Sequence, residues 1–91
     1  MSYLIKFEKN SLFDFNEGIA YYKLISEILS ERFYNEFWKC VENLKENPYA
    51  YQIRYLNIRI IKVNSFPFTI HFLIENDIIH VQRVLHDKRQ Y

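Results

Sequence analysis

An α+β domain, with helices packed on one side of an antiparallel sheet, is the fold class this sequence predicts. Three observations carry it. Before Pro48, apolar side chains recur at spacings of three and four, as on one face of a helix. After Pro48 the period changes to two, as in strands with one buried face. A single Gly and two Pro leave little room for linkers, so residues 1–91 form one domain.

The elements follow in order. Tyr3, Ile5 and Phe7 alternate with Leu4 and Lys6, which predicts a short strand. Asn10 and Ser11 end it, and Ser11 with Asp14 resembles a capping box at a helix N-terminus. A first helix is expected over residues 12–28, with Phe15, Ile19, Tyr22 and Ile25 on one face. Gly18 inside it costs up to about 1 kcal/mol relative to Ala, and close packing would explain it. Ser30 is the expected N-cap of a second helix, with Glu31 in its first turn. Phe33, Phe37, Cys40 or Val41, and Leu44 mark its buried face, and Asn47-Pro48 ends it. With almost no linker between them, the helices should form an antiparallel hairpin. Residues 53–63 hold one long strand or two short ones. Phe68, Ile70, Phe72 and Ile74 predict the next strand, with His71 on its opposite face. Glu75-Asn76-Asp77 is a turn, and residues 78–85 return. Arg83 shares parity with Ile79, Val81 and Leu85, which leaves its face ambiguous. The order is β-α-α-β-β-β.

Aromatic residues make up 19% of the chain, which compensates for the modest core that a short chain can bury. The net charge of +1 divides unevenly: residues 1–47 hold six Lys/Arg and eight Asp/Glu, residues 48–91 six and three. The second half is therefore the candidate working surface, although a dedicated nucleic-acid binder would be more basic. Cys40 is alone, which excludes an intramolecular disulfide and fits a reducing cytoplasm. The N-terminus does not read as a signal peptide, and no apolar run is long enough to cross a membrane. No His, Cys, Asp or Glu spacing suggests a metal site, a single Gly excludes a glycine-rich phosphate loop, and no cofactor is expected.

Chemistry concentrates near the C-terminus. Arg83, His86, Lys88 and Arg89 end the last strand, where cations and an imidazole could grip phosphates or move a proton. The alternative is a solvated basic end. Arg54, Arg59 and Lys62 carry no acid between them and would extend this patch if they share its surface. His71 and His80, mid-strand, read as partly exposed sheet residues. The aromatic stripe Tyr21, Tyr22, Phe33, Tyr34, Phe37 and Trp38 is wider than one core face needs, so Tyr34 and Trp38 are candidates for a partner surface.

Asn47-Pro48 after a helical hairpin, a strand with Arg59, Phe66-Pro67-Phe68, His71-Phe72-Leu73-Ile74, and Arg83-Val84-Leu85-His86 with Arg89 follow one another in order. This arrangement resembles the RelE/ParE superfamily of toxins from bacterial type II toxin–antitoxin modules, and more narrowly its ParE-like, plasmid stabilization branch. The resemblance spans roughly residues 3–89. It implies a small cytoplasmic α+β toxin neutralised by a cognate antitoxin, which lies on the helical hairpin near Tyr34 and Trp38 and pairs with a sheet edge. It leaves a homodimer open.

The branches imply different targets. ParE-like members inhibit DNA gyrase and are not hydrolases. RelE-like members cleave messenger RNA on the ribosome, and here that would use Arg83 and His86 as phosphate clamp and general acid. Such members place an Arg where Phe68 stands, and an apolar ring cannot neutralise a phosphate. Arg59 is the residue that could substitute for it. The resemblance therefore favours a binding toxin whose target contacts are Arg59, Arg83, His86, Lys88 and Arg89. A ribonuclease, or a degenerate non-toxic relative, is the alternative.

Overall fold

The computed structural model describes residues 2–87. Strand β1 (Leu4–Phe7) leads into helix α1 (Lys9–Ile25), helix α2 (Glu27–Glu46) and a 3-10 turn, Pro48–Ala50. Strands β2 (Ile53–Tyr55), β3 (Ile58–Lys62), β4 (Phe68–Glu75) and β5 (Ile78–His86) complete the chain. The stretch 53–63 is thus two strands, joined by Leu56 and Asn57 at φ 43° and 65°. Asn76 and Asp77, at 54° and 60°, join β4 to β5 in the same way. Two consecutive left-handed residues give the twist that a tight hairpin needs.

The sheet order is β1-β5-β4-β3-β2. β2 to β5 run antiparallel to their neighbours, and β1 joins β5 in parallel, so the sheet is mixed. One face packs on the two helices. Phe33, Phe37, Val41 and Leu44 of α2 meet Ile70, Phe72, Ile79 and Val81 of the sheet in a single buried cluster. The α2 stripe lies where its spacing put it. Cys40 is buried in the same cluster, where desolvation pushes its thiol up to about 11.

Four details differ from the sequence reading. α1 starts three residues before residue 12, and Ser11 does not cap it: its hydroxyl, buried in the first turn, donates to the Glu8 carbonyl at 2.7 Å. The N-cap of α2 is Ser26, one turn before Ser30, and its Oγ accepts from the Leu29 N–H at 3.3 Å. Ile25 is exposed, because α1 ends there and the chain turns away from the core. His71 is buried at 5% exposure rather than partly exposed.

Gly18 meets its expected role. A Cβ there would stand 3.0 Å from Cε2 of Phe33 and 3.5 Å from Cε2 of Phe68, so with any side chain here α1 could close on the core only by displacing the Phe33 ring. The ambiguity at Arg83 also resolves. His71 pairs with Arg83 but Phe72 pairs with Val81, so Gln82 forms a β-bulge. Directly paired residues share a face. Ile79 and Val81 therefore join the core, while Arg83 and Leu85 project to the other face beside His71 and Thr69. Among the described residues, no helix is long and apolar enough to cross a membrane.

Candidate functional site

The face of the sheet away from the core forms the floor of an open groove of about 1350 Å³. Thr69 and His71 of β4, Arg83 and Leu85 of β5, and Lys62 of β3 contribute to it. One wall is α1, through Asp14, Glu17, Tyr21 and Leu24. The other is β2, through Arg54 and Tyr55.

The helix reaches the sheet because β1 is short. It pairs with β5 only over Ile78 to Val81, followed by a bond from the Glu8 N–H to the Val81 carbonyl at 2.9 Å. Among the described residues, no strand pairs with that edge of β5 beyond this point. Asp14 supplies the missing acceptor: its Oδ2 takes the Val84 N–H at 3.0 Å. The same carboxylate holds Arg83 through Nε at 2.7 Å and Nη2 at 3.1 Å. A two-bond fork of this kind is the strong form of the Arg–carboxylate pair. Its hydrogen bonding raises the guanidinium above its ordinary range. The Asp14 side chain is 11% exposed and that of Arg83 47%.

His71 sits at the centre of a hydrogen-bonded chain. Its Nδ1 lies 2.9 Å from Tyr55 Oη and its Nε2 2.9 Å from Thr69 Oγ1. Thr69 Oγ1 donates to the Leu85 carbonyl at 3.3 Å. A hydroxyl has one proton, so Thr69 must accept from Nε2–H, and Nδ1 must then accept from the Tyr55 phenol. Burial, and then the Arg83 charge, lower the affinity of His71 for a second proton. The neutral Nε2–H imidazole is therefore the favoured form.

The remaining candidates are dispersed. His86 stands opposite Phe68 in register and meets its ring edge-on at 5.0 Å, at the end of the groove. Arg59 stands opposite Phe72, on the core side of the sheet, so it does not join Arg83. Its Nη1 donates to the Tyr51 carbonyl at 2.6 Å, and its guanidinium lies 5.2 Å from the centre of the Tyr49 ring. Lys62, opposite Thr69, is the cation that register brings next to Phe68, and its Nζ donates to the Phe66 carbonyl at 2.9 Å. Phe68 itself is buried, 4.9 Å from the Phe33 ring and 6.0 Å from that of Tyr22. Lys88, Arg89 and Tyr91 lie outside the described residues.

On the helical side Tyr34 is exposed and lines a shallow groove of about 360 Å³ with Ile19, Lys23 and Glu31. Trp38 is half-buried, with edge contacts to Phe37 at 5.2 Å and Phe7 at 5.6 Å. Its indole N–H is buried without an acceptor among the described residues. Tyr55 and Thr69 were not singled out from the sequence, and Asp14 was read there only as part of a helix cap. No local signal marks them, since β3 separates Tyr55 from His71 in the sheet.

Comparison with known proteins agrees with this architecture. A family model described as "ParE toxin of type II toxin-antitoxin system, parDE" matches residues 5–91. Among solved structures the chain is similar to one titled "Chromosomal ParDE TA system from P. aeruginosa", with a TM-score of 0.80. The two share 17% identity over 93% of this chain and 96% of that one, which makes it a likeness of fold. No curated protein matches the sequence.

Proposed function

The chain belongs to the ParE toxin family of type II toxin–antitoxin systems, and from that premise we propose that it acts by docking on a macromolecular target, DNA gyrase, and not by cleaving RNA. The observation that carries this reading is the start of β4. Phe68 is committed to the core, locked between Phe33 and Tyr22, so that position offers no cation to a phosphate. Arg83 is also committed, to Asp14. A cation already neutralised by a fixed carboxylate does less for charge developing in a transition state.

The antitoxin is proposed to cover the helical hairpin at the groove beside Tyr34, with the face of Trp38 nearby. Exposed Tyr on a half-apolar groove suits a helix laid along it.

The test pairs two assays on the purified toxin. A supercoiling assay with DNA gyrase should show inhibition. Primer extension on a reporter message translated in vitro should show no toxin-dependent cleavage. Discrete cleavage products that vanish in Arg83→Ala and His86→Ala would establish the ribonuclease instead. Toxicity in cells without either effect would remove both. The antitoxin assignment is checked with the protein encoded by the adjacent reading frame: Tyr34→Ala should weaken the complex, and an unchanged affinity would exclude that surface.

A further inference from the structure

The groove on the sheet face away from the core carries opposite charge on its two sides. Glu17 lies on α1, with Asp14 engaged by Arg83. Arg54 and Lys62 lie on β2 and β3. Between them Tyr55 presents an exposed ring whose hydroxyl is directed inward. With its proton given to His71, the phenol offers the groove only lone pairs. The side chain is fixed before anything binds, because His71 is held by Thr69, whose hydroxyl is in turn anchored on the Leu85 carbonyl.

We propose that this groove is the target-docking surface, with Tyr55 its specificity-setting acceptor and His71 the residue that positions it. The partner is a short acidic protein segment. Its carboxylates would face Arg54 and Lys62, and a backbone N–H would meet Tyr55 Oη. Glu17 on the opposite wall repels the carboxylates and fixes which way round the segment lies. Lys62 exchanges the Phe66 carbonyl for the incoming carboxylate. The inference rests on the target-binding reading above and assigns that reading a surface distinct from the groove beside Tyr34.

A signature follows from the relay. Protonated His71 donates from both nitrogens. Tyr55 must then accept from Nδ1–H and turn its own proton toward the groove, where it opposes the partner's N–H. Docking therefore weakens as the medium is acidified through the titration of His71. The groups facing the imidazole are Tyr55 on β2, Thr69 on its own strand, Arg83 on β5, Asp14 on α1, and Asp87. Arg83 keeps its charge throughout, so the imidazole is the relay member that changes state.

The experiment measures gyrase as the probe, by inhibition of supercoiling at pH 7.5 and by binding of the toxin to immobilised gyrase from pH 7.5 to 5.5. Circular dichroism confirms the fold of every variant. Tyr55→Phe should lose about five- to tenfold in affinity, the worth of one hydrogen bond. Arg54→Glu should lose at least as much. Tyr49→Phe, on the other side of the sheet, should match the wild type at every pH. His71→Asn should bind more weakly at pH 7.5 but show no additional loss on acidification. Should His71→Asn fail to fold, the two surface variants still decide the matter. Inhibition by the wild type with Tyr55→Phe and Arg54→Glu within twofold of it overturns the inference alone. Failure of the wild type to bind or inhibit gyrase overturns the target reading and the inference with it.

Discussion

Asp14 ties the first helix to the last strand, and its replacement separates two contributions that the structure superimposes. In Asp14→Ala the Val84 N–H loses a charged acceptor at 3.0 Å, next to a buried side chain and beyond the reach of β1. A hydrogen bond to a charged group is worth about 1.5–3 kcal/mol, and an unsatisfied buried donor costs a similar amount instead of adding to it. The pair with half-exposed Arg83 adds only about 0.2–1 kcal/mol, because solvent screens it. The expected loss is therefore about 2–4 kcal/mol, dominated by the backbone cap. Asp14→Asn keeps an oxygen for Val84 and should lose only about 1 kcal/mol. Arg83→Ala, which leaves the cap in place, should also lose about 1 kcal/mol or less. Urea unfolding followed by Trp38 fluorescence reads these as shifts of the midpoint at constant m-value. Added salt should narrow the gap between wild type and Arg83→Ala without rescuing Asp14→Ala. The reasoning is refuted if Asp14→Ala lies within about 0.5 kcal/mol of the wild type, or if Arg83→Ala is equally destabilising.

Two further outcomes follow from the core and from His71. Gly18→Ala gains about 1 kcal/mol of helix propensity. It also drives a Cβ to 3.0 Å from the fully buried Phe33 ring, and overpacking costs about 1–3 kcal/mol. The net loss should be about 1 kcal/mol, or a melting temperature lower by about 4–8 °C; a rise would show that the Phe33 pocket can expand. His71, buried neutral, takes up its proton less readily folded than unfolded. The unfolded chain then binds more protons, so stability increases with pH. Stability should fall as pH drops below about 6.5, the unfolded value. His71→Asn should flatten that limb in denaturant titrations, and an unchanged slope would assign the acid sensitivity elsewhere.

Much of the fold was legible because several local signals agreed. The α2 stripe from Phe33 to Leu44, the stop at Asn47-Pro48 and the Asn76-Asp77 turn each rest on spacing or backbone preference confined to a few residues. The misreadings were also local. Ser26 and Ser30 are each followed by Glu, so local sequence lets either cap α2; the helix begins at Glu27 and Ser26 caps it. Ser11 and Asp14 have capping-box spacing, yet their partners lie elsewhere: a carbonyl one turn back for Ser11, and residues 69 and 70 positions away for Asp14. The bulge at Gln82 reverses strand parity without any residue that announces it. The site was less legible than the fold. Tyr55 and His71 meet across an intervening strand, and that meeting depends on two registers at once. Arg59 shows the converse. Its charge marked it for a ligand, but its register with Phe72 turns it toward the core side, where a carbonyl and a ring already hold it.

The parallel pairing of β1 with β5 joins the first and last strands of the sheet in chain order, and this sets a schedule for synthesis. Asp14 and Arg83 are made 69 residues apart. At roughly 5–20 residues per second, that interval lasts on the order of 3 to 14 s. Throughout it, α1 has no strand edge to cap, and Arg83 and Leu85 are missing from the floor of the groove. The floor of the groove is therefore complete only once β5 has been made. A partner that captures the chain before then meets a helical hairpin whose sequence is complete some forty residues earlier.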